Sequence, residues 1–301
     1  MKRYGVAILL TGLLAVPSMA QTSEPMTLDQ MLKSVSGTLC IHLDAALGVT
    51  ADANGKVTKW SDQIYLSNAP AFGMDFIVPT LSGNSVPNTA TGPTLVQNGI
   101  NNLPMIRFDG VSNVLQGGGN PPALGLDWTV FFVLANVTDT RGLMDGAPGS
   151  TNQFRFSRTN RVQNQSWDNG GVPFTLPADT STGMILSFSH HGDTVTDSRT
   201  WNVVVGDIGD QSYENFAGAE GQRAVTWNKP QLGAFVDVQG GNWNYHFFKG
   251  DIAEVLIFQG AMSAADMMTV NSYLMSKYSV PEPATMSVLA MGGLALLRRW
   301  K

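Results

Sequence analysis

The sequence has little cysteine and little charge. Cys40 is the only cysteine among 301 residues, so the chain cannot form an internal disulfide. It lies between Leu39 and Ile41, where a small buried side chain is favoured over a reactive thiol. Charged residues make up 14% of the chain, whereas glycine is abundant, with 32 residues. Because Asn, Thr and Ser fill the connections, this composition predicts a single all-β domain of many short strands.

The familiar catalytic motifs are also missing. The chain contains no Gly-x-Ser-x-Gly nucleophile elbow and no His-Glu-x-x-His zinc motif. The glycines at 117–119 lead into Pro121, which indicates a loop rather than a phosphate-binding helix start. His190 and His191 are adjacent, and strand neighbours point to opposite faces, so they cannot chelate one ion together. We interpret the histidines as surface or turn residues: His42, His190, His191 and His246.

The first twenty residues have the pattern of a secretory signal peptide. Two basic residues at positions 2 and 3 precede an apolar run at 6–16. Ser18 and Ala20 are small residues placed three and one before a cut ahead of Gln21. We therefore predict cleavage between Ala20 and Gln21.

The end of the chain, residues 280–301, has three parts in a fixed order. Two prolines around a glutamate hold the first part extended. An uncharged apolar run of fourteen residues from 284 to 297 follows, shorter than the ~20 residues that a stable membrane helix needs. A permanent anchor is therefore not favoured. The charged and proline residues of this segment are Pro281, Glu282, Pro283, Arg298, Arg299 and Lys301.

This order of Pro-Glu-Pro, short hydrophobic helix and basic end resembles the PEP-CTERM sorting signal of Gram-negative bacteria. The resemblance implies that a membrane peptidase, exosortase, recognises and removes the tail. It also implies secretion through the inner membrane and delivery to the cell surface, outer membrane or extracellular matrix, with the membrane contacted only through this signal. The alternative is an ordinary C-terminal helix, but such a helix rarely ends in a basic cluster after a stripe that is apolar all round.

Removing both ends makes the protein more acidic. The whole chain carries a formal charge of −5 from 18 basic and 23 acidic residues, and five of the basic residues lie in the two end segments. An acidic exported protein has no electrostatic reason to bind nucleic acid or anionic lipid.

Periodicity predicts short strands between two helices. The first helix covers residues 27–36, and the last covers 263–278, with Ser263 as N-cap and Met262 packed against Met267 as a hydrophobic staple. Residues 63–93 carry several prolines and are interpreted as a long surface excursion. The predicted strands cover residues 39–44, 56–62, around 95, 105–108, 128–137, 184–189, 201–205, 231–235 and 250–258.

Three stretches resemble bacterial LamG-like domains of the concanavalin A-like lectin/glucanase superfamily. They are LDAALGVTADANGKVTKWSDQ, PTLVQNGINNLPMIRFDGVSNVLQ and GDIAEVLIFQGAMSAADMMTVNSYLMSKY. The resemblance implies a jelly-roll sandwich of two antiparallel sheets, with a short N-terminal helix and a helix after the last strand. It divides the chain into a signal peptide (1–20), a helical lead-in (21–38), the jelly-roll domain (39–279) and the sorting signal (280–301). Residues 111–114 replace the acidic run usual in that family, and residues 140–230 match none of its segments.

Glucan-cleaving enzymes of this superfamily carry paired carboxylates on one strand, and this chain has no Glu-x-Asp-x-(x)-Glu motif. Asp251 and Glu254 are three apart, so a regular strand would point them to opposite faces. Glu254 would then share a face with Ile252 and Leu256 and bond to a neighbouring loop. We therefore predict a non-enzymatic domain.

Calcium is an alternative that the resemblance leaves open, because related jelly rolls often hold this ion at the sheet rim through loop carboxylates. Four aspartates lie in loop-like contexts, although such residues are mostly turn formers. No ligand set can be chosen among them: Asp193, Asp197, Asp207 and Asp210.

Aromatic residues in Gly/Asn-rich stretches indicate carbohydrate binding, since rings stack on sugars while carboxylates and amides bond the hydroxyls. The candidates are Trp167 with Asp168, and Trp243 with Tyr245. The alternative is that these rings pin their loops to the sandwich edge. Three functions stay open: a surface or matrix protein that binds glycan or protein, a structural coat component without a specific ligand, and a polysaccharide-active enzyme.

Overall fold

The computed structural model describes residues 25–64, 74–79, 89–118, 124–125, 127–146, 155–158, 160–163, 172–192, 198–208, 213–221, 229–239 and 242–279. The two helices are α1 (Leu28–Ser34) and α2 (Ala264–Tyr278). The strands of the first half are β1 (Thr38–Asp44), β2 (Val49–Ala51), β3 (Val57–Trp60), β4 (Phe76–Ile77), β5 (Thr94–Val96), β6 (Met105–Asp109), β7 (Leu115–Gly117), β8 (Trp128–Asp139) and β9 (Met144–Asp145). Those of the second half are β10 (Arg155–Arg158), β11 (Arg161–Gln163), β12 (Val172–Pro173), β13 (Met184–Gly192), β14 (Ser198–Asp207), β15 (Tyr213–Gly221), β16 (Gln231–Leu232), β17 (Ala234–Gln239), β18 (Asn242–Phe247) and β19 (Lys249–Gln259).

The strands form a jelly-roll sandwich of two antiparallel sheets, as the sequence predicts. An eight-stranded sheet has the order β15-β14-β13-β8-β19-β6-β5, with β1 paired to β19. A nine-stranded sheet has the order β12-β11-β10-β9-β16-β7-β4-β3-β2. A separate hairpin of β17 and β18 lies against β9 and β10.

The central strands of the eight-stranded sheet, β8, β13 and β19, are buried on both faces. On β8, Val130 and Phe132 belong to the core between the sheets, whereas Phe131 and Val133 belong to a second core beneath the helices. This explains why residues 128–137 are almost continuously apolar. The buried Cys40 lies in the core between the sheets, as predicted.

Both helices pack on the outer face of the eight-stranded sheet and contact each other. Helix α1 begins at a complete capping box formed by Thr27 and Gln30. Helix α2 begins at the predicted N-cap Ser263, whose hydroxyl accepts from the Asp266 amide at 3.1 Å. Met262 and Met267 are both buried in the core beneath the helices. Among the described residues, no helix combines the length and apolarity needed to cross a membrane.

Two local predictions are wrong. Residues 231–235 are not one strand, because Gly233 adopts a φ of +90° and separates β16 from β17. The excursion at 63–93 is not wholly superficial, because Phe76 on β4 is buried in the core between the sheets. A two-residue strand has too little periodicity to be found from sequence.

Candidate functional site

The most elaborate polar arrangement in the described residues lies where the last turn of α2 meets β1 and β19. We call it the Glu254 cluster, and its members are His42, Asp44, Glu254, Lys277 and Tyr278. Four of them are at most 5% exposed, and the Lys277 side chain is 22% exposed.

Glu254 lies at the centre of this cluster. His42 Nε2 is 2.8 Å from its Oε1, while Lys277 Nζ and Tyr278 Oη donate to its Oε2 at 2.7 and 2.8 Å. Lys277 Nζ also donates to Asp44 Oδ2 at 2.6 Å. Burial acts to raise the pKa of Glu254, but the bond from His42 and the charge of Lys277 outweigh burial and leave that pKa below its usual value.

The bonds also change the two donors. Burial lowers the pKa of Lys277, but the carboxylates of Glu254 and Asp44 outweigh it, so the pKa lies well above its ordinary value. The pKa of Tyr278 is raised by its burial and by the charge of Glu254. Lys277 and Tyr278 are therefore held in their protonated forms, as cation and as neutral donor.

Two irregularities in the strands assemble the cluster. The register between β1 and β19 shifts between Leu39 and Ile41, and the register between β8 and β19 shifts between Ile252 and Glu254. Ile252 and Val255 both face the core between the sheets, although they are three residues apart. A β-bulge explains this, since one extra residue reverses the alternation beyond it.

The prediction that Asp251 and Glu254 point to opposite faces is therefore wrong, and so is the shared face of Glu254 and Ile252. Glu254 points towards α2, where its partners are residues of a strand and a helix rather than of a loop. Asp251 points to the same side, because its partner Arg107 alternates with the core residues Ile106 and Phe108.

Asp251 has partners of its own. Arg107 forms a bidentate pair with it, through Nε to Oδ1 and Nη2 to Oδ2, both at 2.8 Å. Asn136, in the left-handed conformation with φ of 52°, donates Nδ2 to Oδ2 at 2.8 Å. The two carboxylates of β19 are thus bound to separate sets of donors.

The cluster contains a set of metal-ligand types, but its centre holds a lysine. Ligand atoms of His42, Asp44 and Glu254 lie within 4.8 Å of one another. Lys277 Nζ is within 2.7 Å of an oxygen of both Asp44 and Glu254, so an ammonium group fills the position that a cation would take. This arrangement supplies its own counter-ion.

Sequence reasoning found Glu254 but missed Asp44, Lys277, Tyr278 and the role of His42. The interpretation of the histidines as surface or turn residues is wrong for two of them. His42 is 5% exposed, and His190 is buried and stacks on Trp128 with ring centroids 5.1 Å apart. The prediction that His190 and His191 face opposite ways is confirmed, because the His191 side chain is 62% exposed.

Several predicted site residues lie outside the described residues. These are Ala20, Gln21, Trp167, Asp168, Asp193, Asp197, Asp210, Pro281, Glu282, Pro283, Arg298 and Arg299. Asp207, at the end of β14, receives a weak bond from Thr182 Oγ1 at 3.5 Å. No cation ligand set follows from that contact.

The predicted sugar-stacking residues Trp243 and Tyr245 both lie on β18, where their Cα partners on β17 are Val238 and Val236. Tyr245 is partly buried and stacks on Phe247 with centroids 6.4 Å apart and planes at 29°. Partial burial raises the pKa of Tyr245. The Tyr245–Phe247 pair is therefore a partly accessible aromatic surface on a hairpin, and its role in binding stays a prediction.

A polar row crosses the nine-stranded sheet on the face away from the core, at registered positions of β4, β7, β16 and β9. Ile77 pairs with Gln116, Gln116 with Gln231, and Gln231 with Asp145. Ile77 is 40% exposed, whereas Gln231 and Asp145 are buried. The accessible end of the row is therefore Ile77 beside the half-buried amide of Gln116, and an apolar side chain beside an amide is a suitable combination for a sugar, which presents both C–H and O–H groups.

Residues 279–301 match the PEP-CTERM protein-sorting motif. This match implies recognition by an exosortase and export across the inner membrane to the surface of a Gram-negative bacterium. No curated protein matches the chain.

One solved structure shares the fold at low identity, and two others resemble it more weakly. An arabinofuranosidase complexed with arabinofuranosyl-α-1,2-xylobiose has a TM-score of 0.52 and 13% identity, covering 82% of this chain and 61% of its own. A GH54 α-L-arabinofuranosidase has a TM-score of 0.48 and 10% identity, covering 83% and 65%. A Trypanosoma rangeli sialidase mutant has a TM-score of 0.43 and 13% identity, covering 81% and 34%. This chain thus spans less than two thirds of the length of each.

Proposed function

We propose that the chain is an exosortase-sorted surface or extracellular-matrix protein whose LamG-like domain, residues 39–279, binds carbohydrate without cleaving it. The observation that carries this proposal is the position of the sorting motif. It begins at residue 279, directly after α2, which closes the folded domain at Tyr278. The jelly-roll domain is then the part of the protein that is exported, and the tail is the signal that directs its sorting.

Two surfaces support carbohydrate binding. The Tyr245–Phe247 pair offers aromatic rings for stacking. The row of Ile77 and Gln116 offers an apolar contact beside an amide. A partner protein is the second ligand class for the same surfaces.

The non-enzymatic part of the proposal draws on the two carboxylates of β19. Retaining glycosidases need two carboxyl groups ~5 Å apart, one of them able to act as an acid. Asp251 is bound by Arg107 and Asn136, and Glu254 is buried among three donors. Both are engaged in the fold rather than offered to a substrate.

Export is tested by producing the full chain in a Gram-negative host with and without an active exosortase. We expect a shortened protein at the surface or in the medium only when the exosortase is present. Replacement of Pro281 and Pro283 by alanine is the matched control, and it should abolish shortening. If the wild type and the proline variant are shortened equally, the sorting proposal is contradicted.

Binding is tested by probing the exported protein on a glycan array that includes arabinose-substituted xylo-oligosaccharides, because the arabinofuranosidase of the same fold was solved with one. We expect retained glycans, and loss of binding in Tyr245→Ala and Phe247→Ala. Val111→Ala is the control, since Val111 is a 68% exposed apolar side chain on a turn. If no glycan is retained at millimolar concentration, the structural coat becomes the better proposal; sugar release would favour the enzyme.

A further inference from the structure

The folded domain and the sorting motif meet without a spacer. Helix α2 ends at Tyr278, and its C-cap Ser279 donates its amide to the Met275 carbonyl at 2.7 Å. The motif match begins at that same Ser279. Only Ser279 and Val280 separate Tyr278 from Pro281 in the sequence.

The last turn of α2 is fixed by side chains, which is unusual because helix ends commonly fray. Lys277 bonds both Asp44 and Glu254, and Tyr278 bonds Glu254. Tyr278 is 1% exposed. Unwinding this turn would pull Lys277 and Tyr278 away and leave the Glu254 carboxylate buried beside His42 alone.

All the partners in the cluster precede the motif in sequence. His42 and Asp44 belong to β1, Glu254 belongs to β19, and the two donors are the final residues of α2. Removal of residues 280–301 therefore breaks none of these bonds. The cluster holds the helix end equally well before and after the tail is lost.

Proteases bind their substrates as extended chain, so a helical turn that cannot unwind is withheld from them. We propose that Lys277 and Tyr278, bound to Glu254, form a stop that keeps α2 intact during and after processing and sets the upstream limit of the mature C-terminus at Ser279. This inference rests on the proposed sorting function for its purpose, although the stop itself is a property of the fold.

The stop is tested on the full chain by limited digestion with a broad-specificity protease, with the C-terminal residue read by mass spectrometry. We expect the wild-type product to resist digestion with an end at or after residue 279. In Tyr278→Phe and Lys277→Met we expect ends inside α2, and rates of trimming raised several-fold. Ser272→Ala is the matched control, because Ser272 lies on the exposed face of the same helix and its hydroxyl donates to the Met268 carbonyl rather than to the cluster. It should keep the wild-type end.

A second arm separates this inference from the sorting proposal. The same variants are produced with exosortase, and their processed ends are compared. If the wild type is never processed but still resists digestion at 279, sorting fails and the stop stands. If the wild type is trimmed into α2, or Tyr278→Phe stops at the wild-type position, the stop is overturned whatever the exosortase does.

Discussion

Asp44 lies directly opposite Glu254 in the antiparallel pair of β1 and β19. Two like charges in such a pair destabilise a sheet, and both residues are almost fully buried. Lys277 lies between the two carboxylates, so its ammonium group is what makes the pair tolerable. The stability of the junction between sheet and helix therefore depends on a residue that comes from the last turn of the chain's last described helix.

Lys277→Met should therefore be strongly destabilising. It leaves two buried carboxylates without their cation, and breaking a buried ion pair by removing one partner costs roughly 3–5 kcal/mol. The free energy of unfolding in urea measures the effect. Lys33→Met, on the exposed face of α1, is the control and should stay within about 0.5 kcal/mol of the wild type. Similar losses in both variants would show that the ion pair has no special role.

The lowered pKa of Glu254 makes the stability of the folded protein depend on pH in the acid range. The pKa of this glutamate is lower in the folded protein than in the unfolded chain, so its contribution is fully present above the usual glutamate value of about 4.3 and is lost as pH falls through the folded value. The free energy of unfolding should decline below about pH 4. In Glu254→Gln this part of the decline should disappear. The variant's free energy of unfolding at neutral pH should be lower than that of the wild type, as measured by urea unfolding at each pH.

The features found from the sequence are those that neighbouring residues determine. The cap at Ser263 depends only on spacing along the helix and appears in the structure, and the two residues of the predicted staple, Met262 and Met267, are both buried in the core beneath the helices. An Asn-Gly pair predicts a tight turn, and the turn at Asn54-Gly55 is present, with Asp52 Oδ1 accepting from the Asn54 and Lys56 amides at 2.8 Å.

The features that the sequence did not predict depend on distant pairing. The bulge near Glu254 is defined by its register against β8, and the irregularity near Cys40 is defined by its register against β19. No local sequence pattern indicates either irregularity. The alternation of apolar and polar residues alone therefore assigned Glu254 to the wrong face of the strand. The Glu254 cluster follows from these bulges together with the docking of α2, which joins residues more than 200 positions apart.

The contribution of Asp62 to stability should change with pH in the opposite direction to that of Glu254. Asp62 is 1% exposed, and its Oδ1 accepts from the amides of His42 and Ile64 at 3.0 and 3.1 Å. Burial raises its pKa despite these backbone bonds. Because the folded state then holds the proton more tightly than the unfolded state, stability should fall as pH rises through the folded value.

Asp62→Asn should remove that fall. The amide oxygen still accepts the two backbone bonds, and no charge is buried. We expect the variant to match or exceed the wild-type free energy of unfolding at pH 7, and to lose its advantage towards pH 4. A variant that is equally destabilised at both pH values would mean that the Asp62 charge is compensated in the folded protein.

Gly233 and Gly55 provide a matched test of close packing. Both have positive φ, of 90° and 74°, so alanine at either position pays the left-handed cost of roughly 1–2 kcal/mol. The two positions differ in the room available for a Cβ atom. A Cβ at Gly55 meets nothing within 4 Å, whereas one at Gly233 would lie 2.3 Å from the Phe108 ring and 2.5 Å from the Asn113 carbonyl.

Gly233→Ala should therefore cost clearly more than Gly55→Ala in the free energy of unfolding. Phe108 is buried between the sheets and cannot move without opening the core, so the extra cost should be of the order of 1–3 kcal/mol, typical of overpacking. The same change would tilt β17 and β18 away from β9, and should weaken any glycan binding at Tyr245. If the two variants are equally stable, the kink at Gly233 is set by backbone conformation alone and the contact with Phe108 does not hold the hairpin in place.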